Sequence, residues 1–563
     1  MRYIFELIMI RILISILFSL FFITPFAQTK DLVKTDGITT TLHKANIGKV
    51  TFMNGNLPLD RYKESDFLKS FPLTYRSDLN IRVFMDNSVT NYLHQLAPDF
   101  SVEQLLEKGN LQFAFFTDNK LIYKNDISPG CWLGNANEFK NTLTTFRIPL
   151  TSTKGENLWA LHLWERFLLN GGEKALKEGK HKLKIEIRPY IKIDEKEEVK
   201  VGNLIAKGEV ELVIKRPKLT AEQIAIQPVK PESGWELSDF KIDKKKIEAL
   251  NSEIASYNLK EITSILVIND GKLLLEEYFN GADRNTMHDP RSAGKSFAST
   301  LMGMAIADGY IKDENQTLDQ FYNLKSFQNY NIKKDRVKIK DLLTMSSAFE
   351  GSDINSDSPG NEENMYPTEN WVKFTLDLPI DPAKTNGGQW DYFTAGTILL
   401  GDIIDKKVPG GLEKYADEKL FKPLNISKYQ WQYTPQNVAN TAGSLQMRSV
   451  DYAKYAQLYK NNGVWNGRQL LSQEWIQKTF SHQIQIPERE NEFYSYLFWN
   501  KSFEYKGKSY ESYYCSGNGG NQFIIFKDLP IVIIITSQAY NKPYGHPQAE
   551  RIVQDFILPS ILK

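Results

Sequence analysis

A stretch broken by Pro217, Pro228, Pro231 and Gly234 divides this chain into two lengths with different hydrophobic periods. One regular unit cannot satisfy both periods, because proline fixes φ and removes a backbone donor while glycine relaxes the chain. Residues 217–235 therefore read as a linker. Before it, Leu183, Ile185 and Ile187 alternate with Lys182, Lys184 and Glu186, and Val210 and Leu212 alternate with Glu209 and Glu211. That period of two is the mark of half-buried strands. Leu111, Phe113 and Phe115 suggest a third strand, and residues 158–169 a helix. The segment 28–216 thus predicts a β-sandwich-like N-terminal domain. Beyond the linker, residues 236–563 mix strands with longer helical patterns, as an α/β domain does. With 563 residues in all, and roughly 100–200 per domain, two domains fit the length.

Composition narrows the function. Lys and Arg number 69 against 68 Asp and Glu, a net charge of +1, which offers no field to attract nucleic acid. Two cysteines far apart, Cys131 and Cys515, build neither a disulfide framework nor a Cys-rich zinc site. The seven histidines are scattered without a ligating cluster, so no metal or cofactor is implied. At the N-terminus Arg2 and Arg11 flank an apolar run from Ile12 to Ile23, and Pro25-Phe26-Ala27 follows. That order predicts a signal peptide over 1–27 and export to the periplasm or exterior. The apolar core is short for a spanning helix, which needs about 20 residues. No stable membrane span is expected after cleavage. Residues 531–535, Ile-Val-Ile-Ile-Ile, read as a buried strand instead.

Chemistry is concentrated in the second half. Ile265–Ile268 and Leu273–Leu275 flank Asn269-Asp270-Gly271, a hairpin signal because these residues accept positive φ. Phe297, Leu301, Met304 and Ala305 then follow helical spacing up to Gly309. Ser292-Ala293-Gly294-Lys295 opens that helix, where residues three apart share a face. A serine hydroxyl needs a neighbouring base to become a nucleophile, and a lysine whose amine is neutral can be that base. Two further Ser-x-x-Lys matches occur, at Ser238 with Lys241 and at Ser560 with Lys563. Neither leads into an apolar helix.

In this setting the chain resembles the serine β-lactamase-related hydrolases, which include class C β-lactamases, D-alanyl-D-alanine carboxypeptidases and esterases. The branch of 6-aminohexanoate-dimer hydrolase is nearest. After Ser292-Ala293-Gly294-Lys295, the matching blocks run in family order. They are Asp341-Leu342-Leu343-Thr344-Met345-Ser346-Ser347, Trp390-Asp391-Tyr392-Phe393-Thr394-Ala395-Gly396, Leu420-Phe421-Lys422-Pro423-Leu424, Asp451-Tyr452-Ala453-Lys454, Gly463-Val464-Trp465-Asn466-Gly467 and Ser516-Gly517-Asn518-Gly519-Gly520.

The resemblance spans about 236–563 and implies a central antiparallel sheet with a helical subdomain. It implies Ser292 as nucleophile, with Lys295 and Tyr392 as the proton-transfer pair. Backbone N–H groups of Ser292 and of Asn518, or in a second frame Asn521, would form the oxyanion hole. Thr394, Gly517, Gly519 and Gly520 would meet the substrate.

Two departures stand out. Many relatives carry Asn where this chain has Thr394, and the β-lactamase and peptidase types carry Lys or His on the final strand where this chain has Cys515 or Asn518. Lys384-Thr385-Asn386-Gly387 precedes Tyr392 and belongs to a turn, and Ser352-Asp353-Ile354-Asn355 is not a Ser-Asp-Asn element. The expected substrate is a small acyl ester or amide. A D-amino-acid peptide or β-lactam is one alternative, and a catalytically silent binding protein on the same fold is another. No motif identifies a partner for the N-terminal domain.

Overall fold

Alternation puts the apolar side chains of a strand on one face, and in the first unit those faces meet in a shared core. The computed structural model describes residue 32 and residues 38–562, except 55–60, 62, 75–76, 131–139, 153–157, 194–198 and 230–233. Residues 1–27, expected to be a signal peptide, and Cys131 lie outside the described residues.

The chain forms two units, Met1–Arg216 and Pro217–Lys563. In the first, Gly179–Lys192 pairs antiparallel with Gly109–Thr117 and with Ala206–Ile214 at the centre of a six-stranded sheet. Val50–Asn54, Leu79–Phe84 and Thr145–Pro149 form a three-stranded sheet. Phe52, Ile81 and Ile148 of the small sheet and Phe113, Ile185 and Leu212 of the large one belong to one core. The helix Leu158–Phe167 lends Phe167 to that core, where it stacks on Phe115 at 4.9 Å.

The second unit is built on an eight-stranded, wholly antiparallel sheet. Its hairpin of Ile262–Asn269 and Lys272–Tyr278 turns at Asp270 and Gly271, both with positive φ. The strand Ile531–Ser537 is apolar from Ile531 to Ile535, and both faces of that run are covered. Ile531, Ile533 and Ile535 pack with the helices Lys244–Ala255 and Ile552–Ile557. Val532 and Ile534 face a larger core with Phe297, Leu301 and Tyr452. That second core also takes in the helical subdomain, including Leu342, Leu376, Ile398 and Leu412. Among the described residues no helix is long and apolar enough to cross a membrane.

The stretch expected to be a linker is structured where it is described, and it belongs to the second unit. Ala221–Ile224 is a helical turn capped by Thr220. Gln227 donates from its N–H to Glu277 Oε1 at 2.9 Å and from its side chain to the Tyr278 carbonyl at 2.7 Å. Trp235 is buried and donates to the Val450 carbonyl. Proline and glycine interrupt regular periods here, yet the backbone groups they leave over find partners on the neighbouring edge strand.

Candidate active site

Ser292 and Lys295 lie on a 3₁₀ turn, Arg291–Lys295, that runs straight into the helix Ser296–Ala307. The sequence predicts an α-helical start; the observed turn is tighter, and in a 3₁₀ turn residues i and i+3 eclipse each other. Lys295 Nζ accordingly donates to Ser292 Oγ at 2.7 Å. Lys295 is only 1% exposed. The helix behind it is covered on every side, with residues Ser296 to Ala305 all buried, so the turn rests on a fixed base.

Tyr392 comes from the segment just before the helix Thr394–Lys407. Lys295 Nζ stands 5.3 Å from the centroid of its ring. Trp499 stacks on the phenol ring at 5.7 Å, and Trp390 meets Trp499 edge-on at 5.6 Å. The hydroxyl, amine and phenol singled out in the sequence are thus gathered at one place.

The strand Lys508–Gly517 forms the facing wall. A Cβ on Gly517 would lie 2.0 Å from the Pro290 carbonyl oxygen, so glycine is what lets this strand touch the nucleophile turn. Gly517→Ala should force strand and turn apart by about 1 Å, enough to cost roughly 10²-fold in kcat/KM for a nitrophenyl ester. Steady-state kinetics beside a melting curve check this, and the fold should survive. Asn518 follows on the cleft side, its carboxamide donating to Asn541 Oδ1 at 2.6 Å. Asn521 is fully buried, and its carboxamide bonds the carbonyls of Asn518 and Ser537. Of the two frames, the cleft wall contains Asn518.

The cleft has a volume of about 580 Å³ and includes Ser292, Tyr392, Ser516, Gly517 and Asn518. Gly519 and Gly520 are buried behind it, with an added Cβ on Gly520 meeting the Gly545 carbonyl at 2.1 Å. Thr394 also stays out of the wall: its side chain is fully buried. Sequence reasoning missed several wall residues, namely Asp353, Trp499, Arg489 and His546. Arg489 lies over the Trp499 ring at 5.3 Å and pairs with Glu492. His546 Nδ1 is 3.4 Å from Ser516 Oγ. Trp499 lies on the strand Phe498–Tyr505, His546 near the start of a helix and the other two in loops, with no shared spacing, so no period marks them.

His288, close to Ser292 in sequence, is buried away from the cleft, and burial pushes its pKa down to about 4. Cys515 is buried too, its thiol pushed up to about 12 by burial. Lys384 is paired with Asp391 at 2.6 Å. A second groove of about 580 Å³ beside Thr368 and Phe374 contains a lysine, Lys373, but Asp377 neutralises it.

A hydroxyl and a buried amine are in contact here, with a phenol alongside, which puts a nucleophile next to a group able to serve as its base. The Beta-lactamase family model matches residues 263–555, and the chain belongs to that family. Similar folds occur among solved structures. A Bacillus anthracis protein provisionally named 6-aminohexanoate-dimer hydrolase is 17% identical and has a TM-score of 0.46; the match covers 61% of this chain and 90% of that one. An octameric penicillin-binding protein homologue from Pyrococcus abyssi is 18% identical with a TM-score of 0.43, over 55% of this chain and 76% of its own. A D-stereospecific amidohydrolase from Streptomyces sp. is 15% identical with a TM-score of 0.40, over 52% of this chain and 93% of its own. No curated protein matches the chain.

Proposed function

We propose that this chain is an exported serine hydrolase that cleaves a small ester or amide by acyl transfer. The observation that carries the reading is the 2.7 Å contact between Lys295 Nζ and Ser292 Oγ at the edge of an open cleft. With its amine neutral, Lys295 takes the Ser292 proton as Oγ bonds to the acyl carbon. Negative charge passes to the carbonyl oxygen, where the N–H groups of Ser292 and Asn518 receive it. Collapse of the tetrahedral intermediate breaks the bond to the leaving alcohol or amine, which takes a proton through Tyr392. Water then attacks the acyl-enzyme, the same groups move its protons, and the acid is released. Export rests on the basic, apolar and small-residue order of residues 1–27.

A fluorophosphonate probe tests nucleophile activation without assuming a substrate. Stoichiometric modification of Ser292, located by peptide mass spectrometry, is the expected result. Failure to label at any pH between 6 and 9 overturns the reading. Nitrophenyl esters, nitrocefin and D-alanyl peptides, assayed side by side, then sort the acyl group; ester turnover is expected to lead.

A further inference from the structure

Tyr392 owes its place to a residue from a distant loop. The Asp353 N–H donates to the Tyr392 carbonyl at 2.8 Å. Two residues further along, the Thr394 N–H donates to Asp353 Oδ2 at 2.7 Å. One residue therefore holds the backbone on both sides of Phe393, and the segment carrying the phenol has little freedom to rotate. The Thr394 N–H is the first of the helix Thr394–Lys407, whose own N-cap residue, Phe393, offers no side-chain cap. The Asp353 carboxylate fills that role from outside, satisfying a donor the helix leaves over and placing negative charge at its positive end.

The loop is itself braced for this. Asp353 Oδ1 accepts from the Glu362 N–H at 2.9 Å. Ser352 N–H donates to Ser358 Oγ at 3.0 Å, and Asn361 Nδ2 reaches the Ser352 and Asn355 carbonyls at 3.3 and 3.1 Å. Gly351 lies so close to Phe393 that a Cβ would come within 2.2 Å of its ring. Asp353 also lines the cleft beside Ser292. Burial raises its pKa and the nearby Glu362 charge adds to this, while bonding from Thr394 and the charge of Lys295 act in the opposite direction.

We propose that Asp353 is a positioning residue of the acyl-transfer site, holding Tyr392 against Lys295 through its two-point grip on the Tyr392–Thr394 backbone. This rests on the serine-hydrolase reading above. Misplacing a proton-transfer group by about 1 Å costs roughly 10²-fold in rate. The backbone point survives substitution of the side chain, so loss of the carboxylate point should appear in the rate of nucleophile activation rather than in the amount of folded protein.

The test uses the full chain and the fluorophosphonate probe, recording the labelling rate constant, the labelled fraction and the melting curve. Asp353→Ala should label to the same final fraction as wild type, with a rate constant lower by about 10- to 100-fold. Asp353→Asn keeps an oxygen for the Thr394 N–H but cannot also accept from Glu362, so its rate constant should fall between the two. Should Asp353→Ala fail to fold, the inference stands only if folded Asp353→Asn labels more slowly than wild type. A labelled fraction and melting temperature that drop while the rate constant holds would show a purely structural role and overturn the inference. So would a rate constant within about twofold of wild type, or equal rate constants in the two variants. If the wild type itself never labels, the hydrolase reading falls and takes this one with it. A labelled wild type with unaffected variants overturns this one alone.

Discussion

Ser292→Ala should leave the fold intact and reduce ester hydrolysis by about 10⁴-fold or more, the usual scale for removing a nucleophile. The folded state loses a single hydrogen bond, from Lys295 Nζ, at a half-buried position. A bond of that kind is worth about 1–3 kcal/mol including the donor left unpaired, so melting should shift by only a few degrees.

Cys515 is 1% exposed and its thiol is pushed up to about 12, so it is neither accessible nor ionised at neutral pH. Ser516, also in the wall, lies 3.4 Å from His546 Nδ1, an arrangement able to imitate a nucleophile–base pair. The double variant Ser292→Ala, Ser516→Ala separates the two: if residual turnover is unchanged by the second substitution, it is background. Turnover in Ser292→Ala above about 1% of wild type would move the nucleophile elsewhere.

What the sequence made legible follows from how local each signal is. The hairpin at Asp270 and Gly271 depends on two adjacent residues tolerating positive φ, and both adopt it. The Ser292–Lys295 contact needs only one turn of helix, whether α or 3₁₀, which is why three residues of spacing were enough. The run Ile531–Ile535 was readable as a buried strand because nothing polar interrupts it.

Signals that depend on distant chain were not legible in this way. Asp353 meets Thr394 across a separation of 41 residues, and Trp499 meets Tyr392 across a still longer one. Neither contact leaves a period. Thr394 shows the opposite failure: its position after Tyr392 suggested a substrate contact, yet its side chain is wholly buried and only its backbone N–H takes part, through Asp353. The stretch 217–235 is legible only as a boundary, since Pro217 and Pro228 mark where regular structure stops and say nothing of what the chain then packs on.

Lys295→Met should separate stability from activity. Methionine is close to lysine in length and unbranched, so it can occupy the same buried channel without opening a void. It also removes the need to keep an amine where only 1% of the residue reaches solvent. Burial of a polar or charged group costs free energy that an apolar replacement avoids, so the melting temperature should hold or rise. Ester turnover should nevertheless fall by about 10³- to 10⁴-fold, because general-base assistance of this kind contributes about 10²–10⁴ and no other amine touches Ser292 Oγ among the described residues. Lys295→Ala gives the complementary readout: the vacated channel should admit a small primary amine such as propylamine and recover part of the rate, more so as pH rises and the free amine becomes deprotonated. A Lys295→Met chain that is stable and keeps a tenth of wild-type turnover would remove lysine from the proton path, and Tyr392 would then have to act as the base alone.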